Sequence, residues 1–319
     1  MQLLTYDELR PEMQPTLALT HIGAFGDPFR PRPMKVYRRA DVFAPYVGVF
    51  AVEGGEVVGQ TYVLRFPYRF PDGPGTIGGI AAVSTRADRS RRGLARRILT
   101  EVHRREREDG IGHVALWTNR SWGAHRLYEQ LGYRDIHHLT TAVRWVGDAG
   151  PHRSRRTVRR ARATDVDAIA ELHAAVTDGR LGFTPRPPRT LRADFTVEGK
   201  DFLRPLWVVA HGRKLLGYAH IQVTPARARC GELIARTAPA VEALVGHVGR
   251  LAKGKWAEFY QSAATDPATL LRRQGYTPLG RSWFVLMGAS LKGPAEARAL
   301  IRAFGTNDPR WVCMVGDRF

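Results

Sequence analysis

Between Leu94 and Arg107 apolar side chains return every fourth residue, at Leu94, Ile98 and Val102, with arginine and glutamate between them. That is the stripe of an amphipathic helix lying on a core. Other segments alternate instead. Tyr46 to Val63 holds two β-branched, aromatic-rich runs joined at Glu53-Gly54-Gly55-Glu56, the pattern of a hairpin. Gly78 to Thr85 and His113 to Thr118 are predicted strands, Ala124 to Leu131 a short helix closed by Gly132, and His138 to Val146 a last strand. Upstream, Leu17 to Phe25 is predicted helical, confined to short pieces by Pro11 and Pro15. The order is helix, hairpin, strand, helix, strand, helix, strand.

The pattern then repeats. Gly147 to Thr157, rich in Gly, Pro, Ser and Arg, lacks apolar periodicity and divides the chain. The expected layout is a unit over residues 1–147, a linker over 148–157 and a second unit over 158–319. In the second unit Val158 to Ala161 is a strand, and a helix N-capped by Thr164 carries Ile169, Leu172 and His173. Leu206 to His220 matches the first hairpin, with Val58-Gly59-Gln60 falling on Leu216-Gly217-Tyr218. The run from Leu127 to Tyr133 falls on Leu270 to Tyr276. An internal duplication accounts for order, hairpin and the terminal Gly-Tyr together. The fold class expected is α/β with a mixed sheet, built twice.

Composition narrows the picture less than charge does. With 319 residues, 44% apolar and 25% charged, the chain can bury real cores, which excludes disorder and collagen-like structure. Basic residues number 49 against 30 acidic, a net +19. Such a surplus calls for an anionic partner (nucleic acid, an acidic cofactor or an anionic membrane), or it follows from GC-rich coding, since 43 are Arg and six Lys. Residues 1–150 carry 21 basic and 16 acidic, net +5; residues 151–319 carry 28 and 14, net +14. Two separate cysteines, Cys230 and Cys313, imply neither disulfide framework nor zinc site. No signal peptide and no run of ~18 apolar residues is read, so a soluble cytoplasmic protein without membrane attachment is expected. The oligomeric state is left open.

Chemistry concentrates in Ala81 to Leu99. A strand ending Val83-Ser84-Thr85 enters an Arg-rich turn, Arg86 to Arg92 and Gly93, and an amphipathic helix starts directly after it. The first turn of a helix leaves N–H groups unpaired, and the macrodipole adds roughly half a positive charge there. Gly93 lets backbone approach a ligand while Arg89, Arg91 and Arg92 add charge, a combination suited to phosphate or pyrophosphate.

Ser90-Arg91-Arg92-Gly93-Leu94-Ala95 resembles the acetyl-CoA motif of the GCN5-related N-acetyltransferases (GNAT), Arg/Gln-x-x-Gly-x-Gly/Ala, with Ser90 in place of Arg or Gln. Asn119 followed by Ala124 to Tyr133 is similar to the family's downstream Asn…Ala-x-x-Leu-Tyr-Glu-x-Leu-Gly-Phe. The resemblance covers about residues 45–146. It implies two tandem GNAT-like domains and an acetyl-CoA site held by Val83, Ser84, Thr85, Arg91, Arg92, Gly93, Leu94, Ala95, Arg96 and Asn119. It also implies that parting of the fourth and fifth strands opens a slot for pantetheine, and that Tyr128 protonates the departing thiolate as general acid. Aligned through the Gly-Tyr ends, Tyr128 falls on Leu271, Asn119 on Ser262 and Gly93 on Arg236, so the second domain is expected to be degenerate.

The general base is not evident. Gly78 to Ser84 holds no carboxylate, Asp88 lies in the phosphate loop, and the carboxylate of Phe319 is a further candidate by similarity to Eis-like acetyltransferases. His21, His137 and His138 have no metal-type partners and are expected on the surface or in the sheet. Trp117, Trp122, Trp207, Trp256 and Trp283 are expected to fill cores, and Arg153 to Arg156 to be an exposed linker cluster. The leading expectation is an acetyl-CoA-dependent N-acetyltransferase acting on a primary amine of a small molecule or peptide. A longer acyl-CoA remains open. Against a +19 chain, polycationic acceptors are disfavoured. The rival is a non-enzymatic acyl-CoA sensor whose basic second half binds nucleic acid or an acidic partner; no base-edge motif is present, which speaks against nucleic acid.

Overall fold

A computed structural model describes residues 1–26, 47–147, 156–183, 185–212, 214–260, 268–293 and 297–313. The linker core at 148–155, Ser262 and Phe319 therefore lie outside the described residues.

The first half runs β1 (Gln2–Leu4), α1 (Gln14–Phe25), β2 (Val47–Glu53), β3 (Glu56–Phe70), β4 (Gly73–Thr85), α2 (Leu94–Glu108), β5 (His113–Asn119), α3 (Gly123–Gln130) and β6 (Arg134–Val146). The second runs β7 (Val158–Arg160), α4 (Val166–Val176), β8 (Leu181–Gly182), α5 (Pro188–Glu198), α6 (Lys200–Leu203), β9 (Leu206–His211), β10 (Lys214–Val223), β11 (Arg227–Ala235), α7 (Ala238–Leu251), β12 (Lys255–Tyr260), α8 (Ala268–Arg273), β13 (Thr277–Ser290), α9 (Ala297–Phe304) and β14 (Trp311–Val312). The helix stripe holds: Leu94, Ile98, Leu99 and Val102 are all buried. Thr164 is not a cap. It lies in a short 3-10 turn, Ala163–Asp165, whose Asp165 carboxylate instead accepts from the Arg162 amide at 2.7 Å and from Arg159 at 2.6 Å.

All strands join one sheet, with the central order β1-β2-β3-β4-β5-β13-β6-β12-β11-β10-β9-β7. The two halves trade their long strands. β13, from the second half, pairs antiparallel with β5 from Asn119–Phe284 to His113–Ser290, while β6 pairs with β12 from Thr141–Tyr260 to Val146–Lys255. The cores therefore merge at the exchange: Val285, Met287 and Ala289 of β13 lie buried among Ile98, Val102 and Tyr128, while Ala142 and Val146 of β6 pack under α7.

The duplication extends to details of register. β3 bulges at Val58, and β10 bulges at Leu216. Gly59 faces Thr85 as Gly217 faces Ala235. The Arg86 amide donates to the Val58 carbonyl at 2.9 Å, and the Arg236 amide to that of Leu216 at 2.8 Å. Even the His21–Gln60 contact of 2.7 Å has a counterpart in His173–Tyr218 at 2.9 Å. His21 is thus half-buried on α1 rather than in the sheet.

The expectation for the tryptophans fails for three. Trp122, Trp256 and Trp283 are 55%, 48% and 67% exposed, because each lies on a sheet face or loop that no described element covers.

Candidate active site

Parallel β4 and β5 share only two register pairs, Gly78–Val114 and Gly79–Ala115. Beyond them β4 continues to Thr85 and β5 to Asn119 without pairing to each other. The cause lies on the other side of β4. Ala82 and Val83 together oppose Thr61, a bulge with Ala82 at φ +50°, which bends β4 away from β5. A slot opens between two strand edges whose N–H and C=O groups have no ladder partner, a surface on which an extended, amide-bearing arm can pair. Val83 packs on the α2 core. Ser84 is buried, and its Oγ has no hydrogen-bond partner among the described residues.

The Arg-rich turn lies at the open end of this slot. Arg86 holds it down by bonding Asp88 at 2.7 Å and Glu56 at 2.8 Å. Arg91 (φ +61°) and Gly93 (φ +75°) are both left-handed, and α2 begins at Leu94 without a side-chain cap. The Arg97 amide is the first to find a helical acceptor, the Gly93 carbonyl at 3.1 Å. The amides of Leu94, Ala95 and Arg96 thus point out of the helix end, with exposed Arg91 and Arg92 beside them. A Cβ on Gly93 would meet nothing within 4 Å, so the glycine serves conformation and approach. The Arg96 guanidinium bonds the Gln130 side chain, tying the first turn of α2 to the end of α3.

Tyr128 projects from α3 into the α2 core, 6% exposed, with its ring 5.8 Å from Tyr133. Its hydroxyl has no hydrogen-bond partner among the described residues, and burial pushes its pKa up to about 12. It is therefore a protonated donor at neutral pH. The Tyr133 hydroxyl lies 2.8 Å from Nε2 of His103, whose pKa burial lowers to about 4. Asn119 turns inward: its Oδ1 accepts from the Ser121 amide at 2.9 Å and hydroxyl at 2.7 Å, shaping the turn into α3.

Beneath the slot, Arg65 of β3 reaches Glu106 of α2 at 2.7 Å, both buried; a Cβ on Gly78 would stand 3.0 Å from that carboxylate. Burial opposes the Arg65 charge, but hydrogen bonds to Glu106 and Asp109 outweigh it, so the guanidinium stays protonated. This pair was not legible in the sequence, as its partners stand 41 residues apart. Asp88, engaged by Arg86, is held below the usual carboxylate range. On the opposite face of the sheet His137 lies between Trp117 and Trp311, ring centroids 6.4 and 4.8 Å away, and burial lowers its pKa to about 4. Cys313 is buried in this same cluster with Tyr68 and Ala115.

The second half has the outline with different contents. Its turn from β11 to α7 is Arg236 alone before the cap Thr237, where the first half inserts Arg86 to Arg92 before Gly93. The counterpart of Gly93 is therefore Thr237 and not Arg236, the shortened turn having moved the cap by one. Leu271 does match Tyr128: the Tyr276 amide bonds the Leu271 carbonyl at 2.9 Å as Tyr133 bonds Tyr128 at 3.1 Å. Pairing of β11 with β12 continues to Cys230–Phe259, one rung further than in the first half. Glu232, in the place of Ala82, is buried and bonded to Arg186 at 2.7 Å and to the Tyr218 hydroxyl. Although burial alone would raise it, Arg186 and His173 pull the Glu232 pKa down to about 2.

A mixed sheet split at parallel β4 and β5, with a glycine-led helix end at the split, has the GNAT architecture. The family comparison agrees: residues 6–136 match the acetyltransferase (GNAT) domain model. That match lies within the first half, and the fold of the whole is that of tandem GNAT structures. A probable N-acyltransferase from Enterococcus faecalis V583 superposes with a TM-score of 0.68 at 13% identity, covering 91% of this chain and 73% of that one. A GCN5-related N-acetyltransferase from Kribbella flavida gives 0.64 at 20% identity, with 90% and 70% covered. A tandem GNAT protein from the clavulanic acid biosynthesis pathway gives 0.53 at 15% identity, with 92% and 99% covered. No curated protein matches the chain. Among the described residues, no helix is long and apolar enough to cross a membrane.

Proposed function

We propose that the chain is an acetyl-CoA-dependent N-acetyltransferase whose first half transfers an acetyl group directly to a primary amine of a small molecule or peptide. The observation that carries this reading is the convergence of the split β4/β5 edges, the open amide end of α2 and an undirected Tyr128 hydroxyl on one side of the sheet. The amides of Leu94, Ala95 and Arg96, with Arg91 and Arg92, would hold the pyrophosphate. The edges of β4 and β5 would take the pantetheine amides, and amides at the Ala82–Val83 bulge would polarise the thioester carbonyl. The neutral amine attacks that carbonyl to form the C–N bond; as the C–S bond breaks, Tyr128 gives its proton to the departing thiolate, and the proton lost by the amine nitrogen restores the Tyr128 hydroxyl through water. The second half, with no phosphate turn, Leu271 for Tyr128 and Glu232 for Ala82, is a degenerate copy without a cofactor site.

The test is Tyr128→Phe, assayed by thiol release from acetyl-CoA with a panel of amines. The expected outcome is a kcat lowered ~10²- to 10⁴-fold, the usual worth of a positioned general acid, with acetyl-CoA affinity unchanged. Undiminished turnover would refute the role.

A further inference from the structure

Strands β6, β12 and β11 bury one face and leave the other open. Ala142, Val146, Ala228, Cys230, Ala257 and Phe259 lie under α7. On the opposite face, in register, stand Trp145 beside Trp256 and Arg229 beside Glu258. Trp145 is 54% and Trp256 48% exposed, their ring centroids 5.5 Å apart. Arg229 lies over the Tyr260 ring at 5.1 Å, and Arg227 and Arg229 reach Glu258 at 3.3 and 2.9 Å. At the corresponding face of the first half, Ala115 and Trp117 are roofed by α9 and β14. Here no described element forms a roof.

Two features decide what fits. The exposed groups are aromatic planes flanked by guanidinium groups: two arginines against one carboxylate, in a half with 28 basic and 14 acidic residues. A second copy of the chain would bring the same +14 to the contact. A membrane surface is engaged by an amphipathic helix or projecting apolar wedge, not by rings set among strands. Single-stranded nucleic acid supplies both partners, bases for the rings and phosphates for the guanidinium groups. The Trp145 and Trp256 rings meet edge to face, at 71°, which leaves an exposed ring surface on which a base can stack. Recognition of this kind needs no base-edge motif, which accounts for the sequence showing none. We infer that the open face of β6, β12 and β11 binds single-stranded nucleic acid without sequence preference, through Trp145, Trp256 and Tyr260 with Arg227 and Arg229. The inference does not depend on acetyl transfer.

The experiment is fluorescence anisotropy of labelled 20-residue oligouridine and oligothymidine with the full chain at 50 mM salt. Binding is expected, weakening linearly in log-log with salt. The Trp145→Ala/Trp256→Ala double variant should raise Kd at least tenfold with its circular dichroism melt intact, these side chains being exposed. Arg227→Gln/Arg229→Gln should flatten the salt slope by about 1.4, since each phosphate contact on a single strand contributes ~0.7. Excess coenzyme A should not displace the strand. No binding, equal binding by the tryptophan variant, displacement by coenzyme A, or light scattering showing that the variant abolishes self-association instead would each overturn the inference.

Discussion

Tyr128 and Gly93 carry the proposed chemistry for different physical reasons. Tyr128 is buried enough that its hydroxyl stays protonated, with a pKa pushed up to about 12, and no described neighbour engages it. Gly93 is placed by backbone: at φ +75° with open space around its Cα, it admits a ligand where any side chain would stand in the way. Gly93→Val should cost ~1–2 kcal/mol in left-handed strain and weaken acetyl-CoA binding at least tenfold, measured by calorimetry; an unchanged Kd would remove the loop from the site. Both residues stand out as candidates in the sequence because their signals are local: a glycine before an amphipathic stripe, a tyrosine at fixed distance from a Gly-Tyr end. Trp122, Trp256 and Trp283 were not, since hydrophobicity predicts burial and only the assembled sheet shows which faces lack a cover. His137 was equally hidden, its neighbours Trp117 and Trp311 being brought together by the fold alone.

At the scale of elements, the two halves differ where β4 and β11 end. Helices and hairpins repeat, so the pattern of the chain predicted them with small errors of boundary. The exchange of β6 and β13 did not show, because alternation marks a strand without naming its partner. Nor did the anchor that stands in the place of Ala82. Glu232 binds Arg186, which precedes α5, while the upstream β8 pairs with β14 and places Phe183 4.8 Å from Tyr68. Arg186→Met leaves a buried carboxylate without its partner and should destabilise the chain by ~3–5 kcal/mol, read from the urea midpoint. The sign with pH follows from Glu232, lowered from the usual 4.5 to about 2. The ion pair stabilises fully above pH 4.5 and is lost as pH falls toward 2, so the difference between wild type and variant should shrink over that window. A penalty independent of acid pH would contradict a charged anchor.

For the whole molecule, the net charge of +19 resolves into two locations. Part surrounds the open end of α2, where Arg91 and Arg92 stand free of described partners beside the split sheet. The larger part belongs to the second half, whose open face joins arginine with tryptophan. One sheet carries both, so the halves are a duplicated architecture in which one copy keeps the long turn proposed to bind phosphate and the other has a short one. That asymmetry is the central claim, and calorimetric titration of the full chain with acetyl-CoA tests it most directly. The account predicts one site per chain, abolished or strongly weakened by Gly93→Val. A stoichiometry of two, or no binding by the unaltered chain, would contradict it.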